Sequence, residues 1–216
     1  MLFARIALPL LGLAASVFAQ SSPSSHKAGL ERRHNKPSPP KCGCQSDVEA
    51  TIKVATKQIV KAGASIKTAC AANKGKGHHA IVVAVKPHII EIQAALKLVS
   101  ASVRTHKADL IRAEIDVSGL AVLVAGLLNA VVTALFPLHL LIKASLGLRI
   151  VLTPLLKLVS VELTFICKTL FAVVDGLLAA VLGLVNGALF VVFHTLGNVF
   201  HGLFGLLGFT LGLGCF

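Results

Sequence analysis

Cysteine and histidine side chains are the groups in this 216-residue chain that could form disulfides or hold a metal. The five cysteines are Cys42, Cys44, Cys70, Cys167 and Cys215. In an oxidising compartment cysteines pair, and an odd number leaves at least one free or paired between chains. Two pairings are expected: one of the first two cysteines with Cys70, and Cys167 with Cys215. The first pairing requires the chain before Ser46 to run back along a helix of about 36 Å, or else Cys70 has another partner.

Metal and catalytic chemistry have little support in the spacing of these residues. The Cys42-Gly43-Cys44 pair lacks the second pair or nearby histidine of a zinc site. The histidines that invite a metal hypothesis are His78, His79, His88, His194 and His201. No cysteine or paired carboxylate joins them at a familiar ligand spacing, so turn, surface and hydrogen-bonding roles are favoured. No nucleophile, metalloprotease or phosphate-binding signature occurs. The sequence therefore predicts no enzyme, no cofactor and no metal.

The first 45 residues have the features of targeting and processing segments. Arg5, the apolar stretch Ile6 to Leu13 and the small residues before Ala19 predict a signal peptide, residues 1–19, cleaved after Ala19. Residues 20–45 are rich in serine, proline and basic residues, which predicts a disordered linker. Within it, Arg32-Arg33 resembles a kexin-type proprotein cleavage site. The alternative is a plain basic pair in a linker.

Residues 46–116 predict a basic, amphipathic helical region. Ser46 and Glu49 have the spacing of a capping box, which would start the first helix at Ser46. Its small apolar residues follow a heptad seam: Val48, Ile52, Ala55, Ile59, Ala62, Ile66 and Ala69. A turn at Asn73–Gly77 leads to a second helix from about His78 to Arg104. Pro87 should kink this helix or mark its true start. Its apolar face is formed by Ile81, Val85, Ile92, Leu96, Val99 and Val103. A third helix is expected to start near Lys107.

Lys53, Lys57 and Lys61 recur every four residues in the first helix. One interpretation is a solvated face; the other is a basic strip for anionic headgroups or an acidic wall polymer. Nucleic acid is the least favoured partner, because secretion separates the chain from it and residues 19–135 offer no aromatic side chain for base stacking.

Residues 117–216 are strongly apolar. Val117 to Phe136 carries no charge over 20 residues, long enough to cross a bilayer or to be the buried half of a bundle helix. Pro137 and Pro154 are expected to break or bend the chain. Beyond Pro154 a helix would carry one narrow polar stripe, formed by Lys157, Lys168 and Asp175. Glu162 lies off this stripe, and we expect it to pair with Lys157 or Lys168.

The last 41 residues carry no charge, and small residues follow one helical face. The packing candidates are Gly176, Gly183, Gly187, Gly205, Gly208 and Gly212. Small residues let helices approach closely in lipid. A break near Gly197-Asn198 would divide the segment into two helices of 18 residues, 176–193 and 199–216. The alternative is a low-complexity apolar tail that coats a core or self-associates.

These observations predict an all-α fold of four to six helices, basic and amphipathic first, then apolar and glycine-rich. Three functions remain open, none enzymatic. The first is a membrane-embedded or membrane-associated protein of the secretory pathway, with its basic helices on anionic headgroups or wall polymer. The second is a secreted surface-active coat protein of the cell wall or another apolar interface, acting as a homo-oligomer. The third is a membrane-permeabilising toxin.

Overall fold

The computed structural model describes residues 43–185, which belong to one compact unit. Within that range the chain forms five helices and no strand, which confirms the all-α prediction. The helices are α1 (Gly43–Ala72), α2 (His78–Arg112), α3 (Val117–Ala144), α4 (Leu146–Val173) and α5 (Leu177–Leu184).

The helices pack as an open bundle around the α1–α2 hairpin. The short turn after α1, which includes Gly75 at φ 86°, returns the chain so that α2 packs along α1. α3 packs against α1, and α4 packs against α2. α3 and α4 contact each other much less, and α5 packs mainly on α3. α1 and α4 therefore occupy diagonal positions, so their outer faces point away from each other.

The predicted apolar seam of α1 is its buried face. Its first six positions, from Val48 to Ile66, are at most 1% exposed, and Ala69 packs partly buried against the same core. The predicted apolar face of α2 is buried in the same way. The small side chains of α1 allow α3 to pack very close to α1 at Gly63. A Cβ built there would lie 2.7 Å from the Cβ of Ala134 on α3, so only glycine fits.

Two predicted helix boundaries are wrong. α1 begins at Gly43, so Ser46 and Glu49 lie inside the helix and form no capping box. Instead, the Gln45 side-chain amide donates to Glu49 Oε1 at 2.6 Å. α2 continues to Arg112 and ends where Ala113 is extended, so no helix starts at Lys107. α3 starts at Val117 because the Asp116 carboxylate accepts a hydrogen bond from the Gly119 N–H, which caps the helix.

The three interior prolines do not break the helices that contain them. Pro87, Pro137 and Pro154 lie inside α2, α3 and α4. A proline in a helix removes one backbone hydrogen bond, and packing on neighbouring helices compensates for this loss here. The helix break between α3 and α4 falls instead at Ser145, whose hydroxyl accepts from the Leu148 N–H and caps α4.

Candidate membrane-contact face

Large apolar side chains are exposed along the side of α4 that faces away from the bundle. Each of them is between 47% and 71% exposed, and we call this set the α4 outer face: Leu146, Ile150, Val151, Leu158 and Val161. An apolar patch of this kind on a water-soluble protein marks a surface that contacts a partner or a membrane.

The inner side of α4 is apolar as well. Leu152, Leu156 and Leu163 are fully buried and point about 180° from the outer face on a helical wheel. A helix that is apolar on both sides normally belongs inside a protein or in contact with lipid. Only the inner side of α4 is covered by the rest of the protein.

α3 and α4 are the two described helices long and apolar enough to cross a membrane. They differ in how the bundle covers them: 61% of the apolar window of α3 is buried, against 39% of that of α4. α3 is covered by α1 and α5, whereas α4 has extensive contacts only with α2. Of these two helices, α4 therefore leaves the larger apolar surface exposed.

Two lysines lie among the apolar residues of the α4 outer face. Lys157 and Lys168 are exposed, and at 100° per residue they point within about 20° of each other. They confirm two of the three predicted members of the stripe on α4. The third predicted member, Asp175, is exposed but lies beyond the last residue of α4, Val173.

The one acidic residue of α4 points elsewhere. Glu162 accepts a hydrogen bond from the Ser100 hydroxyl of α2 at 2.7 Å, so the expected pairing with Lys157 or Lys168 is wrong. The physical reason is the position of Glu162 on the side of α4 that faces α2. One turn further along, the Arg104 guanidinium lies over the Phe165 ring, 4.3 Å from its centroid. Sequence reasoning missed both contacts, because they join residues about 60 positions apart and leave no local signal.

Lys53, Lys57 and Lys61 are exposed on α1, as predicted. The Lys53 ammonium lies 3.9 Å from a carboxylate oxygen of Glu49, one turn earlier. Because α1 is diagonal to α4, these three lysines lie on the side of the bundle opposite the α4 outer face. A flat membrane in contact with α4 cannot contact them as well.

His78, His88 and polar residues near the helix ends have structural partners. His78 Nε2 lies 2.9 Å from the Ser145 hydroxyl, which joins the start of α2 to the α3–α4 junction. The Gln45 side chain accepts from the Asp116 N–H at 3.1 Å, which joins the starts of α1 and α3. His88 lies 3.2 Å from Glu91. Within residues 43–185, His, Cys, Asp and Glu side chains form no group of three that could hold a metal.

The cysteines within the described range correct the expected disulfides. Cys70 and Cys167 are free thiols, so both proposed pairings are wrong. Cys44 and Cys70 stand on one straight helix, about 39 Å apart at 1.5 Å per residue, so they cannot meet. Cys167 is fully buried in the core face of α4. Burial also raises the pKa of the half-buried Cys70 thiol.

The first glycines of the predicted packing stripe have different roles. Gly176 lies in the left-handed region at φ 77° and forms the turn before α5, where a side chain would be strained. No described atom lies within 4 Å of a Cβ built at Gly183, so no described helix packs closely there. The predicted 18-residue helix from Gly176 is also wrong, since α5 ends at Leu184 and Val185 is extended.

The other predicted sites lie outside the described residues. They are Ala19, Arg32, Arg33, Cys42, Gly187, His194, His201, Gly205, Gly208, Gly212 and Cys215.

The comparisons with known proteins give no relative on which to base a function. The chain matches no protein-family model, no curated protein and no solved structure. The function must therefore be argued from the bundle itself.

Proposed function

We propose that this protein is a non-enzymatic helical protein of the secretory pathway that attaches to a membrane surface through the α4 outer face. The observation that carries this proposal is the exposure of five large apolar side chains on a helix whose opposite side is already buried in the core. Signal-peptide features in residues 1–19 supply the secretory part of the proposal.

The free energy available from this face is adequate for membrane attachment. Full burial of a valine, leucine or isoleucine side chain stabilises by about 1.5–3 kcal/mol, and these five are roughly half-exposed or more. Inserting them into the interface of a bilayer would gain on the order of 5 kcal/mol. That gain is typical of helices that lie in the plane of the membrane, which bind reversibly.

Attachment at the surface fits the bundle better than a transmembrane arrangement. α3 packs along α1, which carries Lys53, Lys57, Lys61 and Lys67. If α1 entered the bilayer with α3, each lysine at its centre would cost about 2.5–3.5 kcal/mol. If α3 entered alone, it would leave the apolar seam of α1 without its partner. Neither cost arises when α4 lies flat on the membrane.

A second candidate is the secreted surface-active coat protein. The observation that favours it is the burial of α3 within the bundle, since a chain that covers this helix can fold without lipid. In this alternative the α4 outer face binds an apolar interface other than a membrane, such as a second copy of the chain in a coat.

Vesicle flotation followed by carbonate extraction tests the proposal on the full-length protein. We expect the protein to float with lipid vesicles and to be released by alkaline carbonate, because the proposed attachment involves one helix face. Retention after carbonate would overturn peripheral attachment in favour of insertion. Failure to float, with the protein recovered as large oligomers or in a wall extract, would overturn membrane attachment in favour of the coat.

A further inference from the structure

We propose that the α4 outer face selects membranes that contain anionic lipids, and that Lys157 and Lys168 bind the net negative headgroups of those lipids. This inference rests on the proposed function, because it names the lipid class that the same face contacts. It also moves the anionic-surface site from Lys53, Lys57 and Lys61 of α1 to the opposite side of the bundle.

The placement of charge along α4 is the basis of the inference. Lys157 points within about 40° of both Ile150 and Val161, and Lys168 points in the same direction as Ile150 and within about 20° of Val161. The two lysines are about 16 Å apart along the helix axis, so they lie at two separate points on the α4 outer face. When the apolar residues of this face insert into a membrane, both ammonium groups must therefore come to the membrane surface.

The length of the lysine side chain makes this arrangement favourable. The four-carbon stem can lie along the apolar surface while its ammonium group reaches the headgroup layer. An ammonium group at that depth is attracted to net negative headgroups, which zwitterionic lipids lack because a choline cation balances each phosphate. Glu162 does not compete for the lysines, because its carboxylate is hydrogen-bonded to Ser100 of α2. The outer face is therefore apolar and basic, which complements an anionic bilayer.

General attraction must be separated from this specific contact, since the chain has a formal net charge of +12. Two double variants remove the same charge from different sides of the bundle. The test variant is K157Q/K168Q on α4, and the matched control is K57Q/K61Q on α1. All four lysines are exposed, so both variants should keep the helical fold, which circular dichroism checks.

Binding is measured with two kinds of vesicle, one of phosphatidylcholine alone and one with 30% phosphatidylglycerol. The wild-type protein should bind the anionic vesicles more tightly. K157Q/K168Q should lose on the order of 20-fold in affinity for them, at about fivefold per lysine, with little change on phosphatidylcholine. K57Q/K61Q should keep most of the wild-type preference.

Each other result overturns a defined part of the reasoning. An equal loss in both variants would show general attraction by net charge, and equal wild-type binding to both vesicles would show no lipid selection. Either result overturns this inference while leaving the proposed attachment intact. Failure of the wild-type protein to bind either vesicle would overturn the proposed function itself.

Discussion

Replacing Ile150 and Val161 with serine is the most direct test of the α4 outer face. These side chains are 66% and 64% exposed, so the substitutions remove apolar surface that only a membrane or another partner would cover. Serine has a helix propensity close to that of isoleucine and valine, so α4 itself should be little affected. The free energy of unfolding should change by no more than about 0.5 kcal/mol, as for other surface substitutions.

The expected loss of binding follows from the exposed fractions. If full burial of each side chain is worth about 1.5–3 kcal/mol, the two-thirds that remains exposed is worth about 1–2 kcal/mol. The double variant I150S/V161S should therefore lose about 2–4 kcal/mol of membrane binding. This corresponds to a fall in the partition coefficient of roughly 30-fold to several hundred-fold.

A tryptophan introduced at Leu158 gives the assay a direct optical signal, because the natural chain contains no tryptophan. Leu158 is 47% exposed on the same face. The fluorescence of a tryptophan at this position should therefore shift to shorter wavelength when vesicles are added. Titration with vesicles then yields the partition coefficient with and without the two serine substitutions.

The matched control is V54S/V60S on α1, where the two valines are 52% and 58% exposed on the opposite side of the bundle. The control should bind vesicles as tightly as the parent. The reasoning is refuted if I150S/V161S binds like the parent, or if V54S/V60S loses as much affinity. In the first case α4 does not contact the membrane, and in the second the contact is not specific to one face.

Two further predictions concern the core and the thiols. G63A should lower the free energy of unfolding by about 1–3 kcal/mol, because the added Cβ would overlap Ala134. G126A should instead raise the free energy of unfolding by about 0.5–1 kcal/mol, because no described atom lies within 4 Å of a Cβ built there. Denaturant unfolding measures both, and a gain in stability for G63A would contradict the close α1–α3 contact. At neutral pH a maleimide should modify Cys70 slowly, because burial raises its pKa and keeps it protonated, and faster as the pH rises. Cys167, fully buried, should react only after unfolding, and peptide mapping that shows equal labelling in the native protein would refute its burial.

Local periodicity made the α1–α2 hairpin predictable from the sequence. The seam from Val48 to Ile66 repeats every three or four residues, and such spacing places side chains on one helical face whatever the rest of the chain does. The buried residues of α1 and α2 therefore matched the expectation. The end of α2 did not, because the charged residues near Lys107 resemble a helix start as much as a helix end.

The prolines and the glycines were harder to interpret, because their effects depend on tertiary packing. Pro154 has the same local chemistry in a broken helix and in a continuous one, and here the contacts of α4 with α2 keep the helix continuous. Gly63 looked unremarkable in the sequence, yet α3 approaches α1 there so closely that an added Cβ would overlap Ala134. Gly183 had a neighbour at the spacing typical of packed helices, but no described helix lies against it.

The composition of the α4 outer face could be predicted from the sequence, but which side of α4 would be exposed could not. The sequence showed that the helix after Pro154 is apolar with a narrow basic stripe. It could not show which side of that helix would be covered, since both sides are apolar. Only the position of α2, fixed by contacts such as Ser100 with Glu162, decides that Ile150 and Val161 stay exposed.

The central position of the α1–α2 hairpin bears on how the chain folds during synthesis. α1 and α2 are neighbours in sequence and make the most extensive helix contacts of the described bundle, so they form early and with little loss of chain entropy. They also emerge before α3 and α4. A nascent chain would thus already present a folded apolar surface when its aggregation-prone helices appear. The hairpin would act as an intramolecular chaperone, and the outer side of α4 would stay uncovered.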